Sequence, residues 1–205
     1  MPSAHWKRGF FLSESTRILG IDPGTRLCGW GLIECAGGRI THVDNGVFVL
    51  GESTPLPQRL ATLLDGLEVL IREHRPDEAA VEGIFQHRNA RTALILGHAR
   101  GVALAAIARH GLAVHEYSPQ QVKKAVTGSG RAAKEQVQQM VGIRLKLVEV
   151  PQEDAADAVA VAMCHGQHLV QGHPMVGAPP KRRGGKRKAA AALEALVMAQ
   201  QRGQQ

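Results

Sequence analysis

Residues 17–35 read RILGIDPGTRLCGWGLIEC, and their reading decides the fold. RILGID is a short apolar run that ends in a carboxylate. Pro23-Gly24-Thr25 then turns the chain into a second apolar run, CGWGLIEC, so the stretch predicts strand, turn, strand. A third strand is expected at Gly46 to Leu50, completing an antiparallel meander. Beyond it, Leu56, Leu60, Leu63, Leu64, Leu67, Leu70 and Ile71 recur at spacings of three and four, which predicts an amphipathic helix over 56–74 stopped by Pro76. AAVEGIF (79–85) reads as a fourth strand, 89–110 as a long helix and AVHEYS (113–118) as a fifth strand. Segments 119–127, 132–141 and 154–170 read as helices. The order β-β-β-α-β-α-β-α-α-α predicts an α/β domain with a mixed five-stranded sheet flanked by helices.

Along the 89–110 helix, Gly97, Gly101, Ala105 and Ala108 form a stripe where another backbone can come close. Two readings stand: packing of helix on sheet within the subunit, or a dimer seam. At 205 residues the chain has room for one domain with a proper core. The expected organisation is a flexible leader at 1–16, the domain at 17–172 and a basic tail at 173–205. Residues 174–205 carry seven Lys or Arg against Glu194 alone, so +6 of the net charge of +7 lies there and the body is nearly neutral. A tail rich in Pro, Gly and positive charge, with few apolar anchors, is expected to be disordered when free.

Cys28, Cys35 and Cys164 form no CxxC pair and cannot all pair with one another, which points to a reducing compartment. His165 and His168 are three apart but lack companions for a zinc site, and read as surface histidines. The first sixteen residues hold too short an apolar run for a signal peptide, and no membrane span is expected. A cytoplasmic protein with no membrane partner follows.

Four acids carry the chemistry. Asp22 ends the first strand, where Asp-Pro-Gly is also a good turn sequence. Glu82 interrupts a strand that otherwise reads as core, and a carboxylate there needs a partner, because burying it uncompensated costs several kcal/mol (about 2–7 for a polar group alone) whereas a bound cation removes the problem. Asp154 and Asp157, in EDAADAVAVA, fall on one face of a helix beginning near Glu153. Capping explains Asp154 as well as ligation does; Asp157 lies deeper, against the apolar run Ala158 to Met163. Four carboxylates offer only hard oxygen ligands, which suits magnesium or manganese rather than zinc or copper. Two such ions about 4 Å apart are the known device for phosphodiester cleavage.

Four separated stretches, RILGIDPGTRLCGWGLIE, AAVEGIFQHRNARTALILGHARGVALAA, EYSPQQVKKAVTGSGRAAKEQVQQMV and EDAADAVAVA, together resemble the RuvC family of bacterial Holliday junction resolvases from about Arg17 to His168. The resemblance implies a ribonuclease H-like fold, a homodimer that nicks opposed strands of four-way junction DNA, and work beside the branch-migration proteins RuvA and RuvB. It places Asp22, Glu82, Asp154 and Asp157 as the catalytic, metal-binding acids, with two magnesium ions per subunit and manganese able to substitute. Phe85 matches an aromatic that stacks on junction bases, and Lys123 and Lys134 match basic residues that contact DNA near the scissile phosphate. An Asp-x-Gly-Thr turn after a first strand also cradles phosphate in actin-like ATPases, but those need two such domains, and this chain shows no internal repeat.

Overall fold

The computed structural model describes residues 15–83 and 90–171. Ten elements follow one another: β1 (Thr16–Asp22), β2 (Leu27–Ala36), β3 (Arg39–Val49), α1 (Leu56–His74), β4 (Glu78–Glu82), α2 (Ala90–Arg109), β5 (Ala113–Tyr117), α3 (Pro119–Thr127), α4 (Lys134–Leu145) and α5 (Glu153–Gln171). The strands form one sheet in the order β3-β2-β1-β4-β5. β1, β2 and β3 are an antiparallel meander, while β4 and β5 run parallel to β1. The mixed five-stranded sheet and the order of elements are those the sequence predicts.

Strand periodicity divides the core in two. Ile18 and Ile33 of the meander and Ala80 of β4 face α3, α4 and α5. Leu19, Ile21, Ala79 and Val81, one position away, face α1 and α2 with Leu63, Leu67, Ala103 and Ile107. α5 lies unusually close to the sheet because glycines floor its path. A Cβ placed on Gly20 would stand 2.1 Å from the carbonyl oxygen of Ala158, one on Gly29 1.9 Å from that of Asp154, and one on Gly31 2.4 Å from a Val159 methyl. On the helix side Ala155, Ala158 and Ala162 are fully buried, so small residues on both partners set this short separation.

Several boundaries differ from the sequence reading. β3 begins at Arg39 rather than Gly46: as an edge strand it alternates exposed and half-buried positions and is mostly polar, so hydropathy does not mark its first half. A register shift opposite Leu32 and Ile33 leaves Val43 without a partner in the ladder. α4 runs over 134–145 instead of 132–141. Ala133 is its N-cap, Gly142 is accommodated inside the helix, and the chain leaves it only at Lys146, with φ 54°. β4 ends at Glu82, so the predicted strand positions Ile84 and Phe85 lie outside the described residues, as do residues 1–14 of the leader and the tail from 172.

The structure removes one of the two readings left open for α2. Its inner face is Ala99, Ala103, Ala106 and Ile107, while Gly101, Ala105 and Ala108 are exposed and an added Cβ on Gly97 or Gly101 would meet nothing within 4 Å. The small-residue stripe therefore does not pack on the sheet of its own subunit. α2 is, among the described residues, the one helix long and apolar enough to cross a membrane, and its inner face belongs to the domain core.

Candidate active site

Asp22 and Glu82 are the last residues of β1 and β4, neighbouring parallel strands paired through Ile21 and Val81. Period-two alternation from Ile18 and Ala80 turns both carboxylates toward α5. A side-chain hydrogen bond joins them. Asp22 also pairs with Gly29 of β2, and Gly29 is the position pressed beneath the Asp154 carbonyl. The close approach of α5 thus delivers Asp154 and Asp157 to the two strand-borne acids, so the sheet-end and helix-start acids that the sequence singled out converge.

Burial raises the Asp22 carboxyl, the hydrogen bond from Glu82 partly offsets this, and the charges of Asp157 and Asp154 raise it again. Burial raises Glu82 further, with repulsion from Asp22 next. Burial and mutual repulsion thus favour a proton on the pair, and the hydrogen bond between the two carboxyls fits Glu82 as its donor. Asp157 is likewise raised by burial, against the pull of Lys134.

Lys134 opens α4 and spans the mouth of the cluster, its Nζ 2.6 Å from Glu153 Oε1 and 2.9 Å from Asp157 Oδ2. Partial burial acts against its charge, but hydrogen bonds to Glu153 and Asp157 more than compensate, so the ammonium stays protonated above its ordinary range. Lys123 lies half-buried on α3 and makes no ion pair among the described residues. Phe85 lies outside the described residues.

A second polar group occupies the opposite end of the α5–sheet seam, at the start of β4. Glu78 meets His165 of α5, Nε2 to Oε2 2.8 Å, and His115 of β5, Nε2 to Oε2 3.0 Å. His165 is wholly buried, which corrects its reading as a surface histidine. The sequence held a signal: Glu78 shares strand parity with Glu82, and Asp157, Val161 and His165 share a helix face. The three cysteines are buried and free, and burial pushes the Cys28 and Cys164 thiols up to about 12 and Cys35 to about 11, so none is a nucleophile at neutral pH.

A single sheet that carries half-buried carboxylates at the ends of two parallel strands, completed by acids from a crossing helix, defines a ribonuclease H-like α/β domain with a hard-oxygen site. Comparison with known proteins gives the family. The model of the family described as "Crossover junction endodeoxyribonuclease RuvC" matches residues 18–165, and the chain belongs to the RuvC family. A relative from Pelobacter propionicus, a crossover junction endodeoxyribonuclease RuvC, is 52% identical over 157 residues, covering 76% of this chain and 89% of the relative. The Thermus thermophilus RuvC structure is similar with a TM-score of 0.71 and 32% identity, covering 78% of this chain and 99% of that one. The structure of T. thermophilus RuvC in complex with Holliday junction substrate gives a TM-score of 0.72 at 31% identity, covering 78% and 98%.

Proposed function

We propose that this chain is a Holliday junction endonuclease that makes symmetric paired nicks in four-way DNA by metal-assisted phosphodiester hydrolysis, in recombination and DNA repair in the bacterial cytoplasm. The convergence of Asp22, Glu82, Asp154 and Asp157 into one half-buried cluster, in a chain of this family, carries the reading. The junction complex of the similar T. thermophilus protein supports the substrate.

The donor set fits magnesium: every ligand is a carboxylate oxygen, and without a cation the buried pair resolves its repulsion by keeping a proton. Asp22, Glu82, Asp154 and Asp157 would hold two magnesium ions, with manganese able to substitute. Such ions, when bound, lower the pKa of an attacking water and stabilise the departing oxygen. The chain's own residues do the rest. The buried strand ends hold Asp22 and Glu82 fixed, Gly29 lets α5 present Asp154 and Asp157, and the Lys134 ammonium stands where an incoming phosphate would exchange for Glu153. Lys123 extends the same basic contact, and Phe85 stacks on junction bases at the branch.

A four-way junction offers two equivalent strands, so a C2 homodimer presents two equal sites to them. The uncovered face of α2, with Leu94 68% exposed beside Gly97 and Gly101, supports a seam there. Recognition then rests on branch geometry and deformability more than on base edges. The basic tail at 173–205 adds salt-sensitive phosphate contact, and RuvA and RuvB are the partners that the family membership suggests.

The test is cleavage of a labelled four-way junction beside a linear duplex of the same sequence, with magnesium and with chelator, for wild type and Asp157→Asn. Symmetric nicks confined to the junction, dependent on magnesium and lost in the variant, are expected. Tight junction binding without cleavage in any divalent metal would replace the nuclease with a binding protein.

A further inference from the structure

The Glu78, His115 and His165 group lies four strand residues, or about 13 Å, from Glu82 along β4, at the other end of the seam. Its ligand atoms, one carboxylate oxygen and two imidazole nitrogens, all fall within 4.8 Å of one another. The two imidazoles stack at 4.1 Å between centroids and 19° between planes, so both present Nε2 to the same Glu78 oxygen. His165 Nε2 hydrogen-bonds Glu78. His115 Nε2 stands 3.0 Å from the same oxygen, an ion-pair contact out of line for a good hydrogen bond, on a side chain that is nine-tenths buried. One carboxylate oxygen serves two buried ring nitrogens, the second with poor geometry, whereas an ion among the three groups would satisfy all of them.

We propose that Glu78, His115 and His165 form a structural site for a divalent transition-metal ion, zinc foremost, separate from the acidic cluster. Two imidazoles and one carboxylate are a known zinc donor set, whereas magnesium prefers the all-oxygen cluster. The outer partner that orients a metal-binding histidine is in place: His165 Nδ1 lies 2.7 Å from Tyr117 Oη. With an ion bound, Nδ1–H would donate to that hydroxyl and Nε2, having released the proton it now shares with Glu78, would offer its lone pair to the metal. Metal–ligand bonds of about 2.0–2.2 Å set tetrahedral donors roughly 3.2–3.6 Å apart. The Glu78 side chain is 28% exposed at the rim, so its carboxylate has room to open the present 2.8 and 3.0 Å contacts by those few tenths. The same exposed side gives water, or a group from outside, access as the fourth ligand. The two histidines already hold the Glu78 carboxyl down, His115 foremost, to about 2, so it is ionised and ready to ligate at any physiological pH. An ion there would tie β4 and β5 to the second half of α5.

The experiment is cobalt and zinc titration of the chelator-treated full chain at neutral pH with millimolar magnesium present to fill the all-oxygen cluster. The probes are the visible spectrum of four-coordinate cobalt, competition by zinc, and thermal melting. The expected result is one zinc-displaceable cobalt per chain with the intense four-coordinate spectrum. Zinc should also raise Tm, and affinity should fall at least 30-fold in both His115→Phe and Glu78→Gln. His115→Phe spares the fully buried His165 and should still cleave junction DNA with magnesium. A spectrum and affinity unchanged in both variants, which would place the metal on other histidines, overturns the proposal. So does a wild-type chain that holds no zinc, since the group is then only a proton-sharing network.

Discussion

Gly29→Ala tests whether the close approach of α5 builds the acidic site. The added Cβ would stand 1.9 Å from the Asp154 carbonyl oxygen and 2.6 Å from its carbon, where ordinary contact begins near 3.4 Å. Both atoms are backbone, so no rotamer change relieves the clash, and the start of α5 must withdraw by about 1.5 Å (3.4 less 1.9). Overpacking of this kind costs about 1–3 kcal/mol. At about 2–4 °C per kcal/mol for a domain of this size, Tm should fall by roughly 2–12 °C. The rate should suffer more, because α5 carries Asp154 and Asp157, and a misplacement of about 1 Å in a reacting constellation costs on the order of 10²-fold. The assay is single-turnover cleavage of a four-way junction at saturating magnesium, with junction affinity and Tm measured on the same preparation. Gly142→Ala is the control, since its Cβ would meet only a Val150 methyl at 3.4 Å. A Gly29→Ala chain that cleaves at the wild-type rate would refute the placement of the helix acids by the glycine floor, whatever its Tm.

Three other perturbations follow from the same geometry. Folding raises the carboxyl of Asp22 from 3.8 to about 6 and that of Glu82 from 4.5 to about 8, so the metal-free native state holds protons that the unfolded chain releases. The stability this contributes is fully present below about pH 4 and is lost as pH rises through about 6 and about 8. Magnesium, which substitutes for those protons, should therefore raise Tm more at pH 8 than at pH 5.5, and Glu82→Gln should flatten the difference; an equal magnesium increment at both values would contradict the shared proton. Lys134→Gln removes the ammonium from Asp157 and Glu153 at a half-exposed ion pair, which should change stability by less than about 1 kcal/mol. Cleavage should nevertheless fall on the order of 10²-fold at constant junction binding, and a rate within twofold of wild type would make the lysine a surface charge only. Leu94→Asp places a charge on the uncovered face of α2 and should shift the chain to a monomer in sedimentation, with paired nicking lost; an intact dimer would move the seam elsewhere.

What was legible in the sequence was what a single element expresses by itself. α1 appears over the predicted residues because its apolar spacing, Pro76 and a left-handed Arg75 all act locally. Asp22 stood out because it ends an apolar strand and Glu82 because it interrupts one that reads as core; the structure ends both strands at the acid and sets the two carboxyls side by side. The first half of β3 was hidden because an edge strand buries little, and the uncovered stripe of α2 because spacing shows a face without showing what meets it. The bridge from Lys134 to Asp157 depends on two helix starts meeting, which no periodicity encodes.

Glu78, His115 and His165 come from three elements and were illegible singly, yet their placement follows from the rules that place the active-site acids. Strand parity puts Glu78 and Glu82 on one face of β4, and helix periodicity puts Asp157 and His165 on one face of α5. A strand and a helix that cross with those faces together must bring Glu82 near Asp157 at one end and Glu78 near His165 at the other. The glycine floor that presses α5 onto β1 and β2 closes both ends at once. An ion bound at the histidine end would therefore reinforce the seam that positions the catalytic acids, and its loss should register in Tm before it registers in rate.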